Sequence, residues 1–415
     1  MFKVFTTSWA LLLGMMFLMV GNGVQGTLLG IRGAIEGFST LQMSVVMSAY
    51  FAGFLIGSRM APEMIRRVGH VRVFAALGSL ISAVLVLYAA IPDWVAWVLL
   101  RVVIGFAFSG VYVTAESWLN NTASNENRGQ ALSLYMIVQM VGTIAAQALI
   151  NFADPAGFLL FIIPSVLVSL AFAPILLSVS PAPTFGTTKS MSIRQLYDVS
   201  PLGVVGIFLM GGVFAAMFGM TAVWGTEAGL TVLEISIFTG AIYFGGLVFQ
   251  YPIGWLSDRM DRRKLLIIVA LIGSAGGAVA VLFDLNFIWL VGVALIIGGI
   301  SNPLYSLLVA YTNDYLEGDQ MAAASGGLLF VNGLGAIVGP LMIGWLMGVI
   351  GPSGFFLFIV VLTTALAVYA MWRMTQRASV PVAETGPFAP VSPNVSAATV
   401  DAVYTELTEQ QAEQG

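Results

Sequence analysis

Apolar segments of about twenty residues recur twelve times along this chain, with short polar or charged breaks between them. They fall at 7–29, 41–60, 72–92, 95–118, 130–151, 156–178, 202–226, 232–255, 265–284, 287–311, 321–349 and 353–375. A helix rises about 1.5 Å per residue, so each segment matches a hydrocarbon layer about 30 Å thick. The chain is 59% hydrophobic and 9% charged. That is more apolar surface than a water-soluble core can hide. The sequence therefore reads as an all-α membrane protein with twelve transmembrane helices. The first segment is too long for a signal-peptide core, and no small-x-small cleavage site follows it, so it reads as a retained span.

Charge sets the orientation. In this count Lys3, Arg59, Arg66, Arg67, Arg72, Arg128, Lys189, Arg194, Arg259, Arg262, Arg263, Lys264, Arg373 and Arg377 share one side. Only Arg32 falls on the other side, and Arg101 lies within a span. Basic residues mark the cytoplasmic face, so both termini are expected in the cytoplasm. The chain has no Cys and a single His, His70. This excludes disulfides, thiolate sites and multi-His metal sites. No Walker loop is present, so ATP drive is not expected. The expectation is a protein that is not an enzyme, with no metal, cofactor or nucleic-acid partner. It would be a monomer whose partners are membrane lipid and a small-molecule substrate, with protons as a further candidate.

The sequence also repeats itself. Tyr50-Phe51-Ala52-Gly53 returns as Tyr243-Phe244-Gly245-Gly246, an offset of 193. Gly105, Tyr112 and Asn120 return at that offset as Gly298, Tyr305 and Asn313. Two six-helix halves follow, 1–179 and 201–377, joined by a polar, Pro/Ser/Thr-rich linker at 180–200. Two parallel repeats with a site at their interface is a transporter plan. Residues 378–415 carry Pro381, Pro387, Pro390 and Pro393, and their only charges are Glu384, Asp401, Glu406, Glu409 and Glu413. They read as a disordered acidic cytoplasmic tail.

The densest charge cluster is Gly254-x3-Asp258-Arg259-x-Asp261-Arg262-Arg263, in a tight loop between the eighth and ninth spans. It resembles the loop signature of the major facilitator superfamily. Arg101-x3-Gly105 resembles that superfamily's fourth-span motif, Asn127-Arg128-Gly129 its following loop, and Gly335-x3-Gly339-Pro340 its eleventh-span glycine motif. Glu116-Ser117-Trp118-Leu119-Asn120, with Arg32 and Glu36, is similar to the YcaD-like branch of bacterial facilitators. The resemblance covers roughly residues 5–377. It implies the major facilitator fold, with spans one, four, seven and ten lining a central cavity. The first-half counterpart of the loop departs from the pattern, with Pro62 in place of Gly and Arg66 in place of Asp. In the fifth span, Gly142-Thr143-Ile144-Ala145-Ala146-Gln147 lacks the Gly-Pro pair of antiporters.

Charge inside a membrane is costly and usually functional. Arg101 lies about six residues into span four, ~9 Å below its outer end. It could anchor an anionic solute with its fixed fork of donors, or be a structural arginine satisfied by backbone carbonyls. Tyr112 follows on the same face. Asn22 and Gln25 stand at similar depth in span one. Asn302 interrupts span ten beside Pro303, with Tyr305 near it, and Trp224 ends span seven. These seven residues are the candidate substrate contacts. Glu116, nearer the cytoplasmic end, could carry a proton or anchor a loop through Arg128. Asp258 and Arg259 are candidates for a cytoplasmic latch. Arg32 and Glu36, four apart, could form an outer gate or a plain surface pair.

The sequence thus suggests a secondary active or facilitative transporter that moves a small polar, anionic solute by alternating access. A drug/proton antiporter and a transporter-like sensor signalling through the acidic tail are the alternatives.

Overall fold

The structure, a computed structural model, describes residues 2–122, 128–176, 191–316, 320–381, 385–386, 388–391 and 400. Regular structure among them is entirely helical. The first six helices are α1 (Phe2–Ile35), α2 (Thr40–Val68), α3 (His70–Ala90), α4 (Trp94–Thr122), α5 (Arg128–Ile150) and α6 (Leu159–Leu176). After the short α7 (Ile193–Val199) come α8 (Pro201–Ala215), a π turn (Ala216–Met220) and α9 (Thr221–Glu227), which together make one span. The last five are α10 (Val232–Ser257), α11 (Arg262–Leu282), α12 (Phe287–Asn313), α13 (Met321–Ile350) and α14 (Ser353–Met374). Among the described residues, 11 helical stretches are long and apolar enough to cross a membrane. The shorter apolar α6 stands where the sixth segment was expected.

The repeat is clearest in the turns. Gly37 (φ 76°) ends α1 and Gly229 (φ 74°) ends α9, both in the left-handed region that favours glycine. Each turn closes the same way. Phe38 N–H donates to the Gly33 carbonyl at 2.9 Å, and Leu230 N–H donates to the Gly225 carbonyl at 2.9 Å. The next helix then starts on a capping box in each half, Ser39 with Gln42 and Thr231 with Glu234.

Glycine also lets paired helices cross at backbone contact. Gly105 of α4 meets the Tyr50 carbonyl of α2, and Gly298 of α12 meets the Ile242 carbonyl of α10. A Cβ at either glycine would overlap that oxygen. In α2 and α10 the structural register is therefore one residue short of the 193 offset that pairs Tyr50 with Tyr243.

Helices α1 to α6 pack mainly on one another, as do α8 to α14. The two sets meet where α2 faces α13, α5 faces α10 and α1 faces α9. At the end carrying Ile35 and Glu227 they touch directly. Gly30 lies against Ala222 and Val223, and Gly344 against Ser44. Thr40 Oγ1 donates to Glu227 Oε1 at 2.6 Å, and Ser48 Oγ donates to the Ile337 carbonyl. At the opposite end, which carries the 254–263 loop, a chamber remains between α5 and α10.

The described parts of the linker and of the tail both pack on the helices. Part of the 180–200 linker is ordered. Ser192 and Gln195 cap α7, Leu196 is buried, and Met191 N–H donates to the Ala323 carbonyl at 2.8 Å. In the tail, the described residues 388–391 do not fit a solvated segment, because Ala389 and Val391 are buried. Residues 180–190, Asn127, Glu384, Pro387, Pro393, Asp401, Glu406, Glu409 and Glu413 lie outside the described residues.

Candidate functional site

A cavity of about 120 Å³ sits where the two helix sets face each other. From the first set it is lined by Asn22, Gln25, Tyr50, Phe51, Arg101, Tyr112, Gln139 and Thr143. From the second come Met217, Phe218, Thr221, Thr239, Tyr243 and Asn302.

Its polar wall is one continuous chain of hydrogen bonds. Arg101 Nη1 donates to Gln25 Oε1 at 2.7 Å, and Gln25 Nε2 donates to Asn22 Oδ1 at 3.0 Å. Asn22 Nδ2 donates to the Tyr112 hydroxyl at 2.9 Å. Arg101 Nη2 points at Met47 Sδ, 3.2 Å away, and the guanidinium stands 4.7 Å from the centre of the Tyr50 ring. Each of these neighbours is neutral. Arg101 is 2% exposed, and among the described residues no carboxylate lies in ion-pair range of it and its Nε has no partner. A buried cation compensated by amides, sulfur, a ring and the Tyr88 hydroxyl, all neutral, keeps much of its desolvation cost, and an incoming anion would relieve it.

The facing wall is aromatic. The π turn places Phe218 over Phe214, with centroids 5.6 Å apart and planes 4° apart. Phe218 also stacks on Tyr243 at 5.4 Å. The wider turn is held by Thr221 Oγ1, which donates to the Met217 carbonyl at 2.7 Å. Such turns recur at functional sites because they re-aim side chains within a span. Stacked rings on one side and a guanidinium with amides on the other suit a small solute with an apolar body and an anionic head.

The structure therefore brings together Asn22, Gln25, Arg101, Tyr112 and Asn302. Tyr305 does not line the cavity; it packs edge-on to Phe214 at 5.9 Å. Trp224 is also elsewhere, in an aromatic cluster with Phe238, Phe355 and Phe356. Glu116 is buried outside the cavity, where it accepts a hydrogen bond from the Tyr135 hydroxyl at 3.2 Å. The Arg128 side chain, its suggested partner, lies outside the described residues.

Arg32 and Glu36 do pair, at 2.6 Å, but Arg32 is only 9% exposed and is no plain surface residue. Its Nη1 donates to the carbonyls of Pro155 and Ala156, so these contacts tie α1 to the α5–α6 connection and stay within the first six helices. Pairs that do join the two sets at that end are Thr40 with Glu227 and Ser48 with Ile337.

In the charged loop, Arg259 turns back on its own helix. It donates to the Trp255 carbonyl at 3.0 Å and lies over the Trp255 ring. The inward arginine is Arg262, 3% exposed at its side chain. It binds Ser257 Oγ, the Ala310 carbonyl and the equally buried Asp314, and lies 3.8 Å from Asp258. Burial pushes the Asp314 carboxyl above its usual range, although Arg262 opposes the shift. Burial also favours the neutral form of Asp261, but hydrogen bonds from Arg263 outweigh it and hold that carboxyl low. Arg262 was hidden beside three other basic residues, Arg259, Arg263 and Lys264. The available signal was Asp261, whose side chain caps α11 and so fixes which arginine begins the helix.

The sequence matches the Major Facilitator Superfamily over residues 11–246 and again over 202–403. It is 28% identical to an uncharacterized transporter of this superfamily, YcaD of Escherichia fergusonii, over 348 residues. That match spans 81% of this chain and 88% of the relative. It is 27% identical to another such transporter, YE1530 of Yersinia enterocolitica, spanning 92% and 97%. Among solved structures, the nucleoside transporter NupG (D323A mutant) superposes with a TM-score of 0.71 at 15% identity, covering 88% of this chain and 98% of that one. An inward-facing bacterial homologue of the human lysosomal transporter Spinster gives 0.69 at 15% identity, covering 98% of each. The chain is thus a multi-pass membrane transporter of the Major Facilitator Superfamily.

Proposed function

We propose that the chain carries a small anionic solute across a bacterial cytoplasmic membrane by alternating access, with both termini in the cytoplasm. One observation carries the anion: the buried Arg101 faces the cavity with no carboxylate beside it. Gln25, Asn22 and Tyr112 hold Arg101 in place and offer further hydrogen bonds, while Phe218, Tyr243 and Tyr50 suit an apolar or flat solute body. The orientation is supported by the one-sided distribution of Lys and Arg. On that orientation the Ile35–Glu227 end is the outer one, and the cavity leads toward the cytoplasm. No residue lining the cavity is acidic among those described, which favours the anion reading over a drug/proton antiporter.

The test is a screen of small carboxylates, phosphates and sulfonates against purified protein, read by thermal stabilisation. At least one anion is expected to stabilise the wild type, and Arg101→Ala should abolish that shift while the protein stays folded. A stabilising anion that acts equally on Arg101→Ala would overturn the assignment.

A further inference from the structure

Below the solute cavity lies a second chamber of about 460 Å³, toward the 254–263 loop. The two chambers share Gln139, Met140 and Asn302 in their walls, so the lower one is the approach to the upper. Its walls are α5 on one side and α10 on the other, with Phe388, Pro390 and Val391 of the tail between them.

The tail is held there by specific bonds. Arg262 Nη2 donates to the Gly386 carbonyl, and Gly386 N–H donates to Asp314 Oδ1 at 3.1 Å. Phe388 N–H donates to Asp258 Oδ1 at 3.0 Å. Val391 exchanges two hydrogen bonds with Ser306 Oγ, each 3.0 Å. The Phe388 ring fills the space over Gly254, where a Cβ would come within 2.7 Å of it. Upstream, Arg263 Nη1 donates to the Arg377 carbonyl at 2.7 Å.

We propose that the tail residues Gly386 and 388–391 form an autoinhibitory strap. It bars the approach to the solute cavity and must leave before the halves can close at that end. Closure brings α5 and α10 together, and the strap occupies the space they would have to share. It also takes one oxygen of Asp258, the acid of the loop signature, so strap and latch compete for the same carboxylate. What the strap bars rests on the alternating-access reading above; that it is seated in the chamber does not.

The chain has no Cys, so Gln139→Cys provides a single reporter in the shared wall. The measurement is the labelling rate of this thiol by a charged maleimide, with the otherwise full-length protein in nanodiscs. Truncation after Pro381, or Phe388→Asp in the full-length chain, is expected to speed labelling about tenfold, as loss of several hydrogen bonds and an apolar seat implies. Unchanged rates in both would overturn the strap, and Phe388→Asp alone decides should the truncated chain not fold. The readout needs no solute. Faster labelling, together with no anion-dependent stabilisation of the protein that retains Gln139, would sink the anion reading and leave the strap standing.

Discussion

On the proposed reading, Arg101 is kept for function rather than for stability. A lone buried guanidinium keeps an unrecovered desolvation cost, so Arg101→Met should stabilise the empty protein by roughly 1–4 kcal/mol while removing anion binding. Thermal unfolding without solute measures this; a less stable Arg101→Met would mean that Arg101 is a structural strut. Polar residues inside spans are few, which made Asn22, Gln25, Arg101, Tyr112 and Asn302 legible in the sequence. Tyr305 and Trp224 were misplaced because an aromatic residue suits a cavity wall and a helix interface equally well, and spacing within one helix does not say which neighbour it meets. Tyr50 and Tyr243 stood in the repeat but went unrecognised as lining residues for the same reason.

Helix lengths and their breaks were legible because each is written locally, in runs of apolar residues ended by glycine, proline and capping side chains. The one-residue slip between α2 and α10 was not, because it is set by where two backbones touch. Nor was the π turn after α8, since nothing in Ala216–Met220 distinguishes it from a straight α-helix. The paired turns lend themselves to a matched test. Gly229→Ala and Gly37→Ala each force a Cβ into the left-handed region, and each should cost about 1 kcal/mol without touching the cavity. Equal losses in thermal unfolding are expected from the two equivalent turns. No loss at either would show that the turns relax freely.

For the whole molecule, the decisive contrast is between its two ends. One is closed by direct contact of the helix sets, and the other holds a chamber with the tail in it. Because the chain has no Cys, Thr40→Cys with Glu227→Cys can be joined by a short cleavable thiol crosslinker. The joined protein should keep anion-dependent thermal stabilisation but lose solute flux in proteoliposomes, and cleavage should restore it. Full flux with the crosslink intact would show that this end never opens.

Arg101 has an electrical counterpart. An empty carrier that swings this guanidinium through the transmembrane voltage moves up to one positive elementary charge, worth about 2.3 kcal/mol per 100 mV. With a monoanion seated, the moving unit is neutral. On the proposed anion reading, the unloaded return is then the voltage-sensitive half of the cycle.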